Sequence, residues 1–195
     1  MLRERFENLL LATGREGMAD LLKFINDSDF YRAPASSRFH GAHQGGLLEH
    51  SLQVNKDMMI IYNAFHERGR LKDGQINLHS IIIASLLHDI CKANFYKQDV
   101  RNVKNNGVWE QVPVYTINDT LPLGHGEKSV MILQQYIELT TDEIYAIRWH
   151  MGGFDDTAKS WSGGLQLSAA FDKCPLLVML HMADLAAVYL LNKEG

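Results

Sequence analysis

Three polar groups of this sequence stand where helical periodicity predicts hydrocarbon: His50, the pair His88-Asp89, and Asp184. Asp184 is the most informative, because its neighbours at helical spacing are apolar and its carboxylate should therefore point inward. An ionised carboxylate in the interior is costly unless it is paired or bound to a metal. Arginine and lysine are scarce in these segments, whereas the chain has nine histidines. We therefore predict a cation that is shared by imidazoles and carboxylates.

The His88-Asp89 pair should be the centre of this site. On a helix, adjacent side chains diverge by about a quarter turn, but both can reach one ion near a helix end. His50 and Asp184 would then supply ligands from other helices. Imidazole with carboxylate suits zinc, manganese, iron, nickel or cobalt better than calcium, and the mix does not choose among these five. For each group, the alternative is a hydrogen-bonded residue of the core.

Two further histidines lie at suggestive places. His125 opens a helix in the string Leu-Gly-His-Gly-Glu, and His150 closes another just before Met-Gly-Gly. Alternatively, His125 lines a loop, or both histidines are substrate contacts of a one-metal site. With them the set could hold two ions bridged by Asp89, an arrangement that activates water and stabilises both oxygens of an in-line displacement at phosphorus. The candidate metal ligands are His50, His88, Asp89, His125, His150 and Asp184.

The elements that must position these residues are mainly α-helical. The segment that carries His50 has one apolar face, and the segments around His88 and Asp184 are apolar almost all round, which is typical of central, buried helices. Helices are predicted over residues 4–12, 16–26, 46–68, 78–91, 125–139, 140–150 and 176–191, with a glycine-rich loop over 152–164.

Residues 95–119 differ in character from the helical segments. The string Asn105-Asn106-Gly107 is a turn signal between two stretches rich in strand-forming residues, Tyr96–Val103 and Val108–Ile117. We predict a small β-hairpin inserted into the helical domain, where it would shape substrate entry.

The bulk composition limits the class of protein. A chain of 195 residues with 46% hydrophobic and 22% charged residues is expected to form one globular domain over residues 1–195. A formal charge of −4 gives no strong reason to expect duplex nucleic-acid binding, whereas a small phosphorylated substrate stays compatible because bound cations add positive charge. Two cysteines make no disulfide framework, and neither a signal core nor a spanning apolar run is present, so we expect a cytoplasmic protein that has no membrane partner. The sequence identifies no protein partner.

The ordered set His50, His88-Asp89, Asp184 resembles the HD superfamily of metal-dependent phosphohydrolases. The intervening His125 and His150 resemble its six-ligand, two-metal branch, which includes the HD-GYP cyclic-dinucleotide phosphodiesterases. The strings Gly-Gly-Leu-Leu-Glu-His and Leu-Leu-His-Asp-Ile-Cys-Lys are similar to the HD domains of certain bacterial 3′→5′ exoribonucleases, and the whole chain is similar to small stand-alone bacterial HD proteins. The resemblance covers about residues 30–189.

The resemblance implies an HD-domain helical bundle, the six ligands, and a phosphomonoester or phosphodiester substrate such as a nucleotide or short oligonucleotide. It also implies that Asp89 and Lys92 are catalytic, with the lysine at a phosphate oxygen, and Arg148 is a further candidate for steadying the phosphate. Two departures stand out. Cys91 replaces the glycine of the family's His-Asp-x-Gly-Lys motif, and the Gly-Tyr-Pro signature is absent, so cyclic-dinucleotide specificity is not implied.

The leading expectation is hydrolysis by a metal-bound hydroxide, and two other functions stay open. HD-type di-iron oxygenases use a comparable ligand set, and a non-catalytic binding or regulatory module could retain a metal. A Cys91 nucleophile is rejected, because metal ligation would occupy the imidazoles that Cys-His catalysis needs. His40, His43 and His181 are left outside the metal set, as rim or core histidines.

Overall fold

The computed structural model describes residues 1–190, and within them the protein is mainly helical. Short 3₁₀ helices occupy residues 90–92, 152–154 and 157–159. No helix of the described residues is long and apolar enough to cross a bilayer. The helices are α1 (Leu2–Leu11), α2 (Met18–Asp27), α3 (Gly46–Glu67), α4 (Leu78–Leu87), α5 (His125–Leu133), α6 (Thr141–Trp149), α7 (Trp161–Lys173) and α8 (Pro175–Tyr189), and the strands are β1 (Tyr96–Asn105) and β2 (Val108–Ile117).

The core forms where α3, α4, α6 and α8 pack together. α3 lies against both α4 and α8, and α6 lies against the same two helices from its own side. The prediction that α4 and α8 are central is confirmed, because residues such as Ile81, Leu86, Leu177 and Leu180 are fully buried. This packing brings the helices that carry the predicted ligands into contact. The predicted end of the last helix at Leu191 lies outside the described residues.

The end of α4 differs from the prediction in a way that matters for the site. The helix was expected to continue to Cys91, but it ends at Leu87, with His88 as its C-cap and Asp89 outside helical geometry at φ −103°. A 3₁₀ turn over residues 90–92 follows. The chain therefore turns away immediately after the pair, so the two side chains need not diverge as they would along a continuous helix. α5 is also shorter than predicted and ends at Leu133.

The glycine-rich segment 152–164 is not simply a loop, and α7 was missed. The helix starts at Trp161. Ser160 is its N-cap, and the Ser160 side chain accepts a hydrogen bond from the backbone N–H of Gly163. A Cβ atom on Gly163 would lie 1.9 Å from the carbonyl oxygen of Thr157. The glycine thus permits a close backbone approach inside a helix, whereas composition alone suggests a break.

The predicted hairpin insertion is confirmed, and its strands extend to the turn. Tyr96 pairs with Ile117 at one end and Asn105 with Val108 at the other, so the loop is Asn106-Gly107. Both loop residues have positive φ, 48° and 87°, as a type I′ turn requires.

The base of the hairpin is fastened to α5. The ammonium of Lys128 donates to Asp119 Oδ1 at 2.6 Å and lies 4.9 Å from the centroid of the Phe95 ring. Lys128 itself is buried. One lysine therefore fixes both ends of the insertion to the helix that begins with His125.

A buried ion pair joins the N-terminal region to α6. Glu143 is fully buried and accepts hydrogen bonds from the Arg15 guanidinium at 2.6 and 3.0 Å and from the Ser80 hydroxyl at 2.7 Å. Its carboxylate also completes a capping box with Thr140, which confirms the predicted start of this helix. One carboxylate thus holds the loop after α1, the start of α4 and the start of α6 together.

We predict that Glu143→Gln lowers the free energy of unfolding by about 2 kcal/mol, because the neutral amide leaves the partly buried Arg15 charge without its carboxylate partner. Urea denaturation followed by circular dichroism measures this loss. Glu138→Gln, an exposed position in the same segment, is the matched control and should stay within about 0.5 kcal/mol of the wild type. Equal stabilities of the two variants would contradict the assigned role.

Candidate metal centre

The structure brings the six predicted ligands to one place. His50 lies on α3, His88 and Asp89 follow α4, and Asp184 lies on α8. His125 is the first residue of α5, and His150 is the C-cap of α6. Residues that are 134 positions apart in sequence therefore face the same small volume.

One donor group is formed by His50, His88 and Asp184. The Nε2 atom of His50 lies 3.1 Å from Asp184 Oδ1 and 3.3 Å from the Nε2 atom of His88. His88 Nε2 lies 3.9 Å from the same carboxylate oxygen. Two imidazoles and one carboxylate therefore converge, as ligands of a single ion must.

A second donor group, His125 and His150, contacts one oxygen of Asp89, and the His150 ring also lies 4.8 Å from the His88 ring, centroid to centroid. The Nε2 atom of His125 lies 2.6 Å from Asp89 Oδ1, and that of His150 lies 3.6 Å from the same oxygen. The other carboxylate oxygen, Oδ2, lies 3.6 Å from His88 Nε2 and 3.7 Å from His50 Nε2. Each oxygen of Asp89 therefore faces a different donor group, which is the arrangement of a bridging carboxylate.

Backbone carbonyls fix the orientation of two imidazoles. The Nδ1–H group of His88 donates to the carbonyl of Ser85 at 2.9 Å, and that of His150 donates to the carbonyl of Ile147 at 2.7 Å. A carbonyl oxygen can only accept, so in the neutral ring the Nε2 atom keeps its lone pair and points toward the centre. Such partners hold a metal-binding imidazole in the correct tautomer.

The electrostatics of the centre suit a divalent cation. Burial lowers the pKa of His88 to about 3, so its imidazole is neutral near pH 7. Burial alone would raise the pKa of Asp89 and of Asp184. Lys92 and two imidazoles hold the pKa of Asp89 well below its usual range, and neighbouring imidazoles, that of His50 first, do the same for Asp184. Neutral imidazoles and ionised carboxylates are the forms that bind metals, so this donor set fits a divalent transition metal.

His125 is the electrostatic exception among the histidines. Burial disfavours its charged form, yet the neighbouring Cys91 and Asp89 raise its pKa to about 10. The positive charges of this imidazolium and of Lys92 together compensate the negative charge of the Asp89 carboxylate. A cation bound at this position would take over that balance and leave His125 neutral.

A cavity of about 920 Å³ opens above the centre. Lys92 lines it, and its ammonium donates to Asp89 Oδ2 at 2.6 Å, so the predicted phosphate contact stands beside the predicted ligands. Several exposed or half-buried aromatic side chains also line the cavity, together with Arg38: Phe39, Tyr96, Phe154 and Tyr189.

Two histidines that sequence reasoning left outside the metal set also line the cavity. The His40 ring lies 5.1 Å from the ring of His50, centroid to centroid, and burial lowers its pKa to about 4. His181 Nδ1 donates to the carbonyl of His150 at 2.7 Å. A Cβ atom on Gly152 would lie 2.5 Å from the His181 ring, so this histidine packs tightly against the turn after α6. The sequence signal for His181 was its position three residues before Asp184, which places both side chains on the same face of a helix.

The structure does not bring Arg148 to the cavity. Its guanidinium forms ion pairs with Glu127 and with Asp155, the latter at 2.8 Å, and it stacks on the Trp149 ring. Arg148 is not among the described residues that line the cavity. Its observed contacts hold α5, α6 and the following segment together.

We predict that Arg148→Gln destabilises the protein by roughly 2 kcal/mol at pH 7, because Asp155 is left buried and unpaired. Burial tends to raise the pKa of Asp155, but Arg148 and the Thr157 N–H hold it below its usual value. That stabilisation is present above about pH 4 and is lost as the pH falls through the lower folded pKa. Denaturation from pH 7 to pH 3 should therefore show the wild-type advantage shrinking. Arg101→Gln, on the exposed hairpin, is the control, and a constant advantage would refute the pair.

The chain matches known proteins over the same region that builds the centre. Residues 47–185 match the HD domain family. The chain is 29% identical over 86 residues to the dihydroneopterin 2′,3′-cyclic phosphate phosphodiesterase of Methanocaldococcus jannaschii. The aligned residues are 44% of this chain and 31% of that protein, so the chain spans about a third of the length of the curated relative it matches. No solved structure matches the chain.

The family match covers more than half of the chain, and all six residues gathered at the centre lie within it. This agrees with the resemblance that the ordered histidines and aspartates indicated. The chain belongs to the HD domain family.

Proposed function

We propose that this protein is a metal-dependent phosphohydrolase that cleaves a phosphomonoester or phosphodiester of a nucleotide or short oligonucleotide. The observation that carries the proposal is the position of Asp89, which lies between two donor groups at the base of an open cavity that Lys92 also lines. A relative named as a phosphodiesterase supports the same reaction class.

We assign His50, His88, Asp89 and Asp184 to one ion and Asp89, His125 and His150 to another. Bound divalent ions would supply Lewis acidity toward the phosphoryl oxygens and lower the pKa of a coordinated water. Imidazole and carboxylate donors bind iron, manganese, nickel, cobalt and zinc, so experiment must identify the native metal. The second ion is the part of the assignment that depends most on His125 and His150.

Lys92 is the residue best placed to bind the substrate phosphate. Asp89 keeps its ammonium charged, since burial would lower the pKa of Lys92 but the carboxylate raises it above the usual value. The Lys92 side chain is 13% exposed, so it meets the cavity without being freely solvated. A phosphate oxygen that approached the base of the cavity would therefore find a fixed positive charge beside Asp89.

The wall of the cavity suits a substrate with an aromatic or apolar part. Its volume falls within the usual range for small-molecule sites. The rings of Phe39, Phe154 and Tyr189 offer stacking surfaces, and Arg38 adds a second cation at the rim. A nucleobase stacks on such rings while its phosphate reaches the base of the cavity. These features favour nucleotides over small phosphate esters that lack an aromatic or apolar group.

We predict that the wild-type protein binds two equivalents of cobalt or zinc and that His150→Ala binds one. His150 Nε2 lies 3.6 Å from Asp89 Oδ1 and is close to His88 as well, but His50, His88 and Asp184 form a donor cluster without it, so its loss should leave that cluster intact. Equilibrium dialysis with elemental analysis measures the stoichiometry. His79→Ala, an exposed histidine at the start of α4, is the control and should retain two. One equivalent in the wild type would contradict the two-ion assignment.

We predict that Lys92→Gln lowers kcat/KM for nucleotides or a model phosphodiester by about 100-fold, because a charged contact to the reacting phosphate is removed. Metal content is measured in parallel to show that the ions remain. Lys159→Gln is a matched control: Lys159 also pairs with an aspartate three residues earlier, at 2.5 Å, but that pair is exposed to solvent. Equal losses in the two variants would rule out a phosphate role for Lys92.

The same assays separate the other functions considered from sequence. Oxygen consumption by the iron-loaded protein, with no turnover of any phosphate ester, would establish the oxygenase alternative and overturn the proposal. Full metal loading with neither reaction, and partner binding that survives Asp89→Ala, would favour a non-catalytic module.

A further inference from the structure

Cys91 lies at the edge of the metal centre without an assigned role. Its Sγ atom is 3.6 Å from both ring nitrogens of His125, and its side chain is buried. The backbone N–H of Cys91 donates to the Ser129 hydroxyl at 3.3 Å, which ties the turn over residues 90–92 to α5. The thiol is therefore held beside the histidine that opens that helix.

The sulfur is close enough to either ring nitrogen for both atoms to bind one ion after a rotation of the imidazole. A sulfur about 2.3 Å and a nitrogen about 2.0 Å from a tetrahedral zinc ion lie roughly 3.5 Å from each other. Because only one ring nitrogen can face that ion, binding would turn the ring from its present position, in which both nitrogens are 3.6 Å from the sulfur. Donor atoms of Asp89, Cys91 and His125 all lie within 4.8 Å of one another. The 2.6 Å contact of His125 Nε2 with Asp89 Oδ1 is a hydrogen bond that a shared cation would replace. Three donors of different chemistry thus surround one point.

The second donor group would otherwise be poor in ligands. His125 and His150 supply two nitrogens and Asp89 one oxygen, whereas His50, His88, Asp89 and Asp184 supply four donors on the other side. A thiolate at Cys91 raises the second group to four protein donors. The glycine that the HD motif usually has at this position could not supply one.

We propose that the Cys91 thiolate is a ligand of the ion held by Asp89, His125 and His150, so that the two ion sites differ in chemistry. The inference rests on the proposed two-ion centre but not on the phosphate reaction. Binding transfers the thiol proton to solvent and forms one metal–sulfur bond. A soft sulfur donor favours zinc, cobalt, iron or cadmium over manganese and magnesium at this site, while the nitrogen and oxygen donors of the first site do not discriminate in this way.

Cobalt(II) provides a direct readout, because thiolate ligation produces a near-ultraviolet charge-transfer band that nitrogen and oxygen ligands do not. The metal-free full-length chain is titrated with cobalt while absorbance and bound cobalt are recorded. We expect the band to grow with one of the two equivalents in the wild type and to be absent in Cys91→Gly and Cys91→Ser. We also expect cadmium affinity at that site to fall more than about tenfold, since even indirect partners of a metal site cost that much.

Cys174→Ala is the matched control. Cys174 is also buried, but it lies at the N-cap of α8, where its thiol donates to the carbonyl of Asp142 in α6. The band should therefore persist in this variant. Stoichiometric cobalt without the band in the wild type overturns the thiolate assignment and leaves the metal centre standing. A band that survives in Cys91→Gly does the same. If no cobalt binds, the metal centre itself fails, and this inference fails with it. The wild-type spectrum decides these outcomes even if a Cys91 variant does not fold.

Discussion

The structure depends on a carboxylate that is buried with both of its oxygens engaged. The Asp89 side chain is 3% exposed, and Oδ1 faces His125 and His150 while Oδ2 faces His50, His88 and Lys92. An ionised carboxylate is so costly to bury that it persists only where cations or hydrogen-bond donors compensate for lost water. The residues that α3, α5, α6 and the end of α4 bring to Asp89 supply that compensation. This constraint therefore sets the relative positions of the helices as well as the chemistry of the site.

Helix ends, more than helix faces, provide the required geometry. His88 caps α4, His150 caps α6 and His125 begins α5, so these side chains come from points where the backbone can change direction. Such caps have spare carbonyls, and two of them accept the Nδ1–H groups that orient the imidazoles. The same feature makes the centre sensitive to helix length. One additional turn at the end of α4 would carry Asp89 away from its partners.

Much of this could be predicted from sequence, because buried charge conflicts so strongly with apolar periodicity. His50, the His88-Asp89 pair and Asp184 were found as polar residues on apolar faces, and the structure brings them together. The hairpin followed from its turn residues, since an Asn-Gly loop between strand-forming segments has one favoured geometry. Pattern reasoning failed where backbone packing decided the outcome. α7 begins among glycines that allow close contact with residue 157, and no periodicity records such a contact.

The sequence also could not show whether a charged side chain binds the substrate or forms an ion pair within the protein. Arg148 precedes a predicted ligand by two positions, and a cation there suggests phosphate binding. In the fold it faces Glu127 and Asp155, because side chains two positions apart on a helix diverge by about 200°. The identity of a charged residue is local information, whereas its partner is set by tertiary packing.

His125 is the donor of the centre with the most access to solvent. Its side chain is 28% exposed, whereas those of His50, His88 and His150 are at most 4% exposed and that of Asp184 is 17% exposed. His125 directly follows the segment that leaves the hairpin, and Lys128 on the same helix fastens that segment through Asp119. The contact between Lys128 and Asp119 therefore attaches the insertion to the helix that carries His125. His50, His88 and Asp184 come instead from α3, the end of α4 and α8, which pack against one another in the core.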